Sequence, residues 1–195
     1  MEMENIILIL ILIIFFYITF FTKFSNLVYM ESYYDGNKYL VQDNLNKKEA
    51  AILLSKIIER LKFLKNYLVR NIDNYKEYEE YILLINKNFN DMRTSIYEGD
   101  GKNNLTSYSV NKGEELVLCL HSKKTKKLHD INLMMYIGLH ELAHMGCPEI
   151  GHTELFTKIF KFLTLRAIDL NLYRKEDFAS NPREYCGMEL YTSVV

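Results

Sequence analysis

The sequence has no marked excess of positive or negative charge. It also has few cysteines, the residues that stabilise small domains through disulfide bonds. Lys and Arg total 24, Asp and Glu total 25, and the formal net charge is -1, which argues against a generally basic nucleic-acid-binding protein. The three cysteines are an odd number in a chain of this length and exclude a disulfide framework as the basis of the fold. Wholesale disorder is excluded because 49% of the residues are hydrophobic. At 195 residues, the chain has room for one compact domain.

A hydrophobic run without charge lies near the N-terminus, from Ile6 to Thr22. At ~1.5 Å per residue it covers roughly 25 Å, close to the ~30 Å of a hydrocarbon core. We expect an uncleaved transmembrane anchor in residues 1–24, because the acidic start and the missing small-residue cleavage site disfavour a secretory signal. A cleaved signal and a buried core helix are the alternatives. Lys23 follows the run and favours a single-pass protein whose domain faces the cytosol.

The rest of the chain has the pattern of a short linker, residues 25–45, followed by one α+β domain, residues 46–195. Apolar residues at helical spacing predict helices over roughly 47–70 and 74–89. Two further helices are expected, from a cap at Asp130 to about Met145 and from about Thr153 to Leu170. Short β-branched and aromatic segments separated by glycine turns predict a small antiparallel sheet, with strands Arg93–Glu98, Thr106–Val110 and Glu115–His121.

One motif carries specific chemistry: His140-Glu141-Leu142-Ala143-His144, an HExxH sequence inside a predicted helix. Residues four apart on a helix share a face, so His140 and His144 can bind one Zn²⁺ together. Glu141 can then act as the general base toward a water molecule. A chain of this composition would contain the motif by chance about 0.01 times.

A catalytic zinc ion takes three protein ligands and keeps one position open. His152 is the best third candidate, because it follows His144 after a short Gly- and Pro-containing loop and precedes the next predicted helix. Tyr185 is the leading candidate for a hydrogen-bond donor to the oxyanion that forms during hydrolysis.

The segment HELAHMGCPEIGHTELF, together with the strand-like LVLCLH before it, resembles the WLM and SprT-like group of zinc metallopeptidases. That group combines HExxH with a third histidine a short loop later and an aromatic residue beyond it, which Phe156 matches here. The stretch from about Thr106 through NPREYCGMEL is similar to small WLM-like proteins of large nucleocytoplasmic DNA viruses. This likeness implies a viral protein, in a virion or in a host membrane.

The resemblance implies a minimal zincin-like domain, in which the small sheet packs on the HExxH helix. It also implies that an edge strand beside the cleft holds the substrate in extended form. We expect that strand to be Glu115–His121, with substrate-binding residues Leu118, Cys119, Leu120 and His121.

The sequence therefore predicts a membrane-anchored zinc metallopeptidase whose partners are a protein or peptide substrate and, through its anchor, a membrane. Nucleic acid is not expected as the main partner, because the net charge is close to zero. One alternative is a membrane-anchored structural protein with a non-catalytic zinc site. Another is a deformylase-like zinc amidase, in which Cys119 would be a ligand.

Overall fold

The computed structural model has a mixed α/β fold and describes residues 2–23, 26–101 and 106–195, with side chains of the first range described for residues 5–17. Five α-helices occur within these ranges: α1 Glu2–Lys23, α2 Lys47–Arg70, α3 Glu79–Asn88, α4 Ile131–Gly146 and α5 Glu154–Asp169. A 3₁₀ helix, Ile72–Tyr78, precedes α3. The strands of the described chain are β1 Leu27–Glu31, β2 Lys38–Gln42, β3 Ser95–Glu98, β4 Tyr108–Val110, β5 Glu115–Leu118, β6 Arg183–Tyr185 and β7 Met188–Leu190.

The expected transmembrane anchor is wrong. The N-terminal run does form helix α1, but none of the helices in the described residues is both long and apolar enough to cross a membrane. The side chains of the expected run are described from Ile6 to Tyr17. The rest of the expected run lies outside the described side chains. The single-pass membrane localisation depended on this anchor and is wrong with it.

The central sheet has three strands in the order β3-β5-β4. β4 and β5 form an antiparallel hairpin, whereas β3 runs parallel to β5 on its other side. The expectation of a purely antiparallel sheet is therefore wrong. The difference lies in the strand order: β5, and not β4, is next to β3, and two strands that run in the same direction are thereby paired. Local strand patterns do not contain that information.

Helix α4 is the centre of the hydrophobic core. Its residues from Leu133 to Met145 are almost all buried, and it packs against α2, α3, α5 and β4. Two glycines allow this close packing. A Cβ atom at Gly138 would lie 3.1 Å from Leu61 of α2, and one at Gly146 would lie 2.6 Å from Ile85 of α3. The site-bearing helix is thus held on several sides.

The segment expected to be a linker contains a hairpin. Strands β1 and β2 pair antiparallel, with Val41 fully buried in the core. The side chain of Ser32, which follows β1, hydrogen-bonds to Ser55 of α2 at 2.9 Å. Gln42 at the end of β2 donates its backbone N–H to the carboxylate of Glu98, at 2.8 Å. Residues 27–42 therefore pack on α2 and β3.

A disulfide between Cys119 and Cys186 joins the end of β5 to the turn of the β6–β7 hairpin. The third cysteine, Cys147, is buried with a free thiol. This cross-link was not expected from the sequence, where Cys119 and Cys186 have the pattern of small buried hydrophobic residues. It ties the C-terminal hairpin to the central sheet.

Candidate metal centre and active site

Helix α4 carries His140 and His144 on one face. The helix begins where the carboxylate of Asp130 accepts hydrogen bonds from the backbone N–H groups of Asn132 and Leu133, both at 3.0 Å. This cap fixes the start of the helix, as the sequence predicts. The four-residue spacing places the two imidazoles one turn apart. Their Nε2 atoms lie 3.2 Å from each other.

His152 reaches the same point from the loop that follows α4. Its Nε2 atom lies 3.2 Å from that of His144 and 3.0 Å from that of His140. The hydroxyl of Thr153 caps the next helix by accepting a hydrogen bond from the backbone N–H of Phe156 at 3.2 Å. The structure thus brings together all three histidines that the sequence analysis singled out.

Three Nε2 atoms at these distances cannot all carry a proton, because each proton would point at a neighbouring nitrogen. A neutral imidazole keeps one nitrogen as an acceptor, and here three such lone pairs converge. Three histidine nitrogens are a ligand set that zinc takes in catalytic sites, with a further position left for water or substrate. The three side chains could therefore form a metal site, and their donor set fits zinc.

The surroundings of the two histidines on α4 favour their uncharged form. Burial lowers the pKa of His140 to about 3, with His144 and His152 adding to the effect. Burial, then His152 and Lys112, lowers the pKa of His144 to about 4. Neutral imidazole is the form that binds metal. Phe156 is the aromatic residue that matches the WLM-like pattern. Its ring stacks on the His144 ring with centroids 4.2 Å apart and meets the His140 ring edge-on with centroids 5.0 Å apart.

Glu141 is only 4% exposed and lines the same cavity as the histidines. Burial raises the pKa of its carboxyl group to about 7, and a hydrogen bond with Ser109 of β4 opposes the shift. A carboxyl group with a pKa near neutrality can both accept and return a proton. Its position next to His140 is the one that the HExxH motif predicts for a general base.

The raised pKa of Glu141 predicts a pH-dependent stability of the metal-free protein. The folded pKa of about 7 lies above the ordinary value of 4.5, so protonation favours the folded state. The stabilisation is complete below pH 4.5 and is lost as the pH rises through 7. We expect metal-free Glu141→Gln protein to exceed wild type in free energy of unfolding by up to about 3 kcal/mol at pH 8. Urea unfolding in the presence of a chelator measures this difference.

At pH 4.5 the same two proteins should unfold with nearly equal free energies, because the wild-type carboxyl group is then largely protonated. Other ionisable groups are common to both proteins and cancel in the comparison. An equal difference in free energy of unfolding at both pH values would contradict the raised pKa of Glu141.

A cavity of about 1040 Å³ opens in front of the histidines. One side is formed by the edge strand β4 and the other by α5 and the C-terminal segment. Apolar side chains form much of its lining. They include Tyr136, Ile137, Phe160, Met188, Leu190 and Val194.

Tyr185 lies in the wall of this cavity and is almost completely buried. Its hydroxyl group hydrogen-bonds to the hydroxyl group of Ser107, which also accepts the backbone N–H of Cys119 at 3.0 Å. Burial is the main cause that raises the pKa of Tyr185, and Glu141 adds to it. The hydroxyl therefore stays protonated at neutral pH and can donate a hydrogen bond.

The strand beside the cavity is β4 and not β5. β5 is the middle strand of the sheet, and Leu118, Cys119 and Leu120 are buried in the core. The expectation that residues 115–121 form the substrate-binding edge is therefore wrong. Ser107, Tyr108 and Ser109 line the cavity instead. The strand patterns are equally strong, and only the strand order decides which one lies at the edge.

Two residues proposed for the site have other partners. His121 is buried, with its Nδ1 atom 2.5 Å from a side-chain oxygen of Glu98 and its Nε2 atom 3.3 Å from the side-chain amide of Asn44. It connects β3 to the loop before α2. Cys119 is bonded to Cys186, so its sulfur is not a free thiolate ligand. This removes the basis of the deformylase-like alternative.

Sequence reasoning missed three residues around the site: Ser107, Ser109 and Lys112. Ser107 and Ser109 contact Tyr185 and Glu141, and Lys112 contacts the loop that carries His152. Serines and lysines are common in turns and short strands, so no local signal marks these three. Only the pairing of β4 with β5 places them at the site.

The chain is similar to viral proteins. It is 45% identical to the uncharacterized protein R325 of Acanthamoeba polyphaga mimivirus over 181 residues, which cover 93% of this chain and 90% of that protein. An uncharacterized protein of Invertebrate iridescent virus 6 is 39% identical over 83 residues, which cover 41% of this chain and 44% of that protein. No protein-family profile matches the chain.

A solved structure shares the fold. The crystal structure of Wss1 from Saccharomyces cerevisiae superposes with a TM-score of 0.50 at 19% identity, covering 68% of this chain and 87% of that one. This likeness confirms the expected WLM-like fold, and at this identity it concerns the fold alone. The likeness to viral proteins is confirmed as well.

Proposed function

The chain belongs to the same protein family as the mimivirus protein R325, and from its site we propose that it is a zinc-dependent peptidase. The observation that carries the proposal is the convergence of three histidine Nε2 atoms, 3.0 to 3.2 Å apart, beside a buried glutamate in an open cavity. The WLM-type peptidase fold supports it. The substrate we propose is a protein or peptide.

His140, His144 and His152 would hold the metal ion. When bound, zinc supplies Lewis-acid chemistry, because it polarises a carbonyl group and lowers the pKa of water. The two ligands on α4 are fixed by the packed core, and the third is on an exposed loop. Such a three-nitrogen site leaves room for water and substrate on the cavity side.

Glu141 would act as the general base. Its carboxylate accepts a proton from the attacking water molecule and can return that proton to the leaving amine. In the metal-free protein burial raises its pKa to about 7, and a nearby zinc ion would favour the carboxylate form that accepts the proton. Ser109 holds the carboxyl group in place from the edge strand.

Tyr185 would donate a hydrogen bond to the developing oxyanion. Tyr185 lies in the cavity wall, and its hydroxyl remains protonated because burial raises its pKa. Ser107 is its partner in the structure and can orient it. The edge strand β4 would align an extended substrate by backbone pairing along the cavity.

Metal removal tests the proposal. The full chain, stripped of metal and then loaded with one equivalent of zinc, should cleave an unfolded casein-type protein, and mass spectrometry of the fragments should show new peptide ends. The stripped protein should be inactive and regain activity with zinc. Cleavage that persists in excess chelator, or a zinc-loaded protein that cleaves nothing across a range of unfolded substrates, would overturn the proposal.

A further inference from the structure

We propose that Lys112 is a positioning residue that clamps the loop carrying His152, and so determines how tightly the three histidines bind their metal ion. The inference rests on the proposed function, because it concerns the same site. Lys112 lies in the turn between β4 and β5, away from α4 in sequence. It lines the cavity without being one of the converging donors.

The ammonium group of Lys112 bridges the turn to the loop. Its Nζ atom donates a hydrogen bond to the backbone carbonyl of Cys147 and another to that of Glu149, the latter at 2.7 Å. These two carbonyls flank Pro148. One side chain therefore holds the loop at both sides of the residue where it leaves α4.

The turn is a rigid support for this contact. Asn111 and Lys112 have φ values of 46° and 55°, and a Cβ atom at Gly113 would lie 2.5 Å from the carbonyl oxygen of Asn88. The side chain of Asn88 donates in turn to the carbonyl of Met145 in α4, at 2.8 Å. The turn is thus fixed against the same helix that carries the other two histidines.

The loop itself has little packing to hold it. Residues 148–152 are all exposed, and Ile150 is 91% exposed. Gly151 has a φ of 87° with no atom within 4 Å of a Cβ position. Ordering such a segment costs conformational entropy, and a loop ordered before binding loses less on binding. Hydrogen bonds from a charged donor are stronger than neutral ones and suit this task.

The charge of Lys112 makes the clamp distinguishable from a simple electrostatic role. Its positive charge contributes to the lowered pKa of His144. The same charge repels a metal cation bound at His144. If charge alone mattered, removing the lysine would tighten metal binding. The clamp predicts the opposite result.

The experiment measures zinc affinity of the full chain by competition with a chromophoric chelator. We expect Lys112→Met to weaken zinc binding by about 10- to 100-fold, the range typical of mutating a residue that supports a metal ligand. Lys112→Arg should restore most of the affinity, because a guanidinium can also donate to two carbonyls. Lys65→Met is the matched control, since Lys65 donates to the carbonyl of Phe89, at 3.3 Å, and should bind zinc like wild type.

Unchanged or tighter binding by Lys112→Met would overturn the clamp, as would a Lys112→Arg protein as weak as Lys112→Met. Backbone ¹⁵N order parameters of residues 149–152 in the metal-free protein give a second reading. They should fall from rigid values near ~0.85 toward ~0.6 in Lys112→Met, and equal values in both proteins would refute the clamp. If wild type binds no zinc, the proposed function fails, whereas the order parameters still decide on the clamp.

Discussion

Replacing Glu141 with glutamine should abolish most of the proposed peptidase activity while the protein still binds zinc. Glutamine has the same shape and can still bond to Ser109, but it cannot accept a proton from water. General-base catalysis contributes about 10²- to 10⁴-fold, so kcat should fall by a factor in that range, which is about 3 to 5 kcal/mol of transition-state stabilisation. Single-turnover cleavage of an unfolded substrate, with zinc content measured on the same samples, gives both quantities.

Glu189→Gln is the matched control for this change. Glu189 lies on β7 and pairs with Lys124 at 3.3 Å on the surface, so its loss of charge should leave kcat near the wild-type value. A Glu141→Gln protein that cleaves as fast as wild type would show that another group takes the proton. A variant that loses zinc would place Glu141 among the ligands instead.

Replacing His152 or His140 with alanine should remove zinc from the protein. Each imidazole supplies one of three converging nitrogens, and a site left with two cannot make up the missing donor from the loop. The dissociation constant for zinc should rise by more than ~100-fold, which exceeds the effect of mutating a residue that only orients a ligand. Equilibrium dialysis with metal analysis measures the loss, and circular dichroism shows whether the fold persists.

The control for the histidine variants is the pair of changes Cys119→Ser and Cys186→Ser. These remove the disulfide without touching the histidines, so the stoichiometry of one zinc per chain should remain. Zinc loss in this control, with zinc retained in His152→Ala, would revive Cys119 as a ligand. It would contradict the three-histidine site.

The helices and the histidine cluster could be predicted because their signals are local. The stripe of apolar residues predicts α2 at about 47–70, and the structure has it at Lys47–Arg70. The Asp130 cap was also correct. In the HExxH motif, helix geometry alone brings His140 and His144 together. His152 needed only a short turn to join them.

The sheet and its edge could not be predicted in the same way. Strand order and direction depend on which segments meet in the folded chain, and β3, β4 and β5 have similar local patterns. For the same reason the disulfide was missed, because it joins residues 67 apart in sequence. The contacts of Lys112 with Glu149 and of Ser107 with Tyr185 are also long-range. Each arises from the β4–β5 pairing rather than from any motif.

The apolar run at the N-terminus shows the limit of composition as evidence. Its residues form a helix, as their hydrophobicity and length suggest, yet the membrane-spanning interpretation is not supported by the described residues. The argument from Lys23 about sidedness depended on that interpretation. The candidate site is independent of it, since all its residues lie between 107 and 185.

X-ray absorption spectroscopy of the zinc-loaded wild-type protein tests the central claim most directly. It reports the number and type of atoms that bind the metal. A peptidase site predicts one zinc per chain bound by three imidazole nitrogens at ~2.0–2.1 Å plus an exchangeable oxygen ligand. A closed site with four protein ligands, or a sulfur ligand at ~2.3 Å, would contradict the account and indicate a zinc ion that only braces the fold.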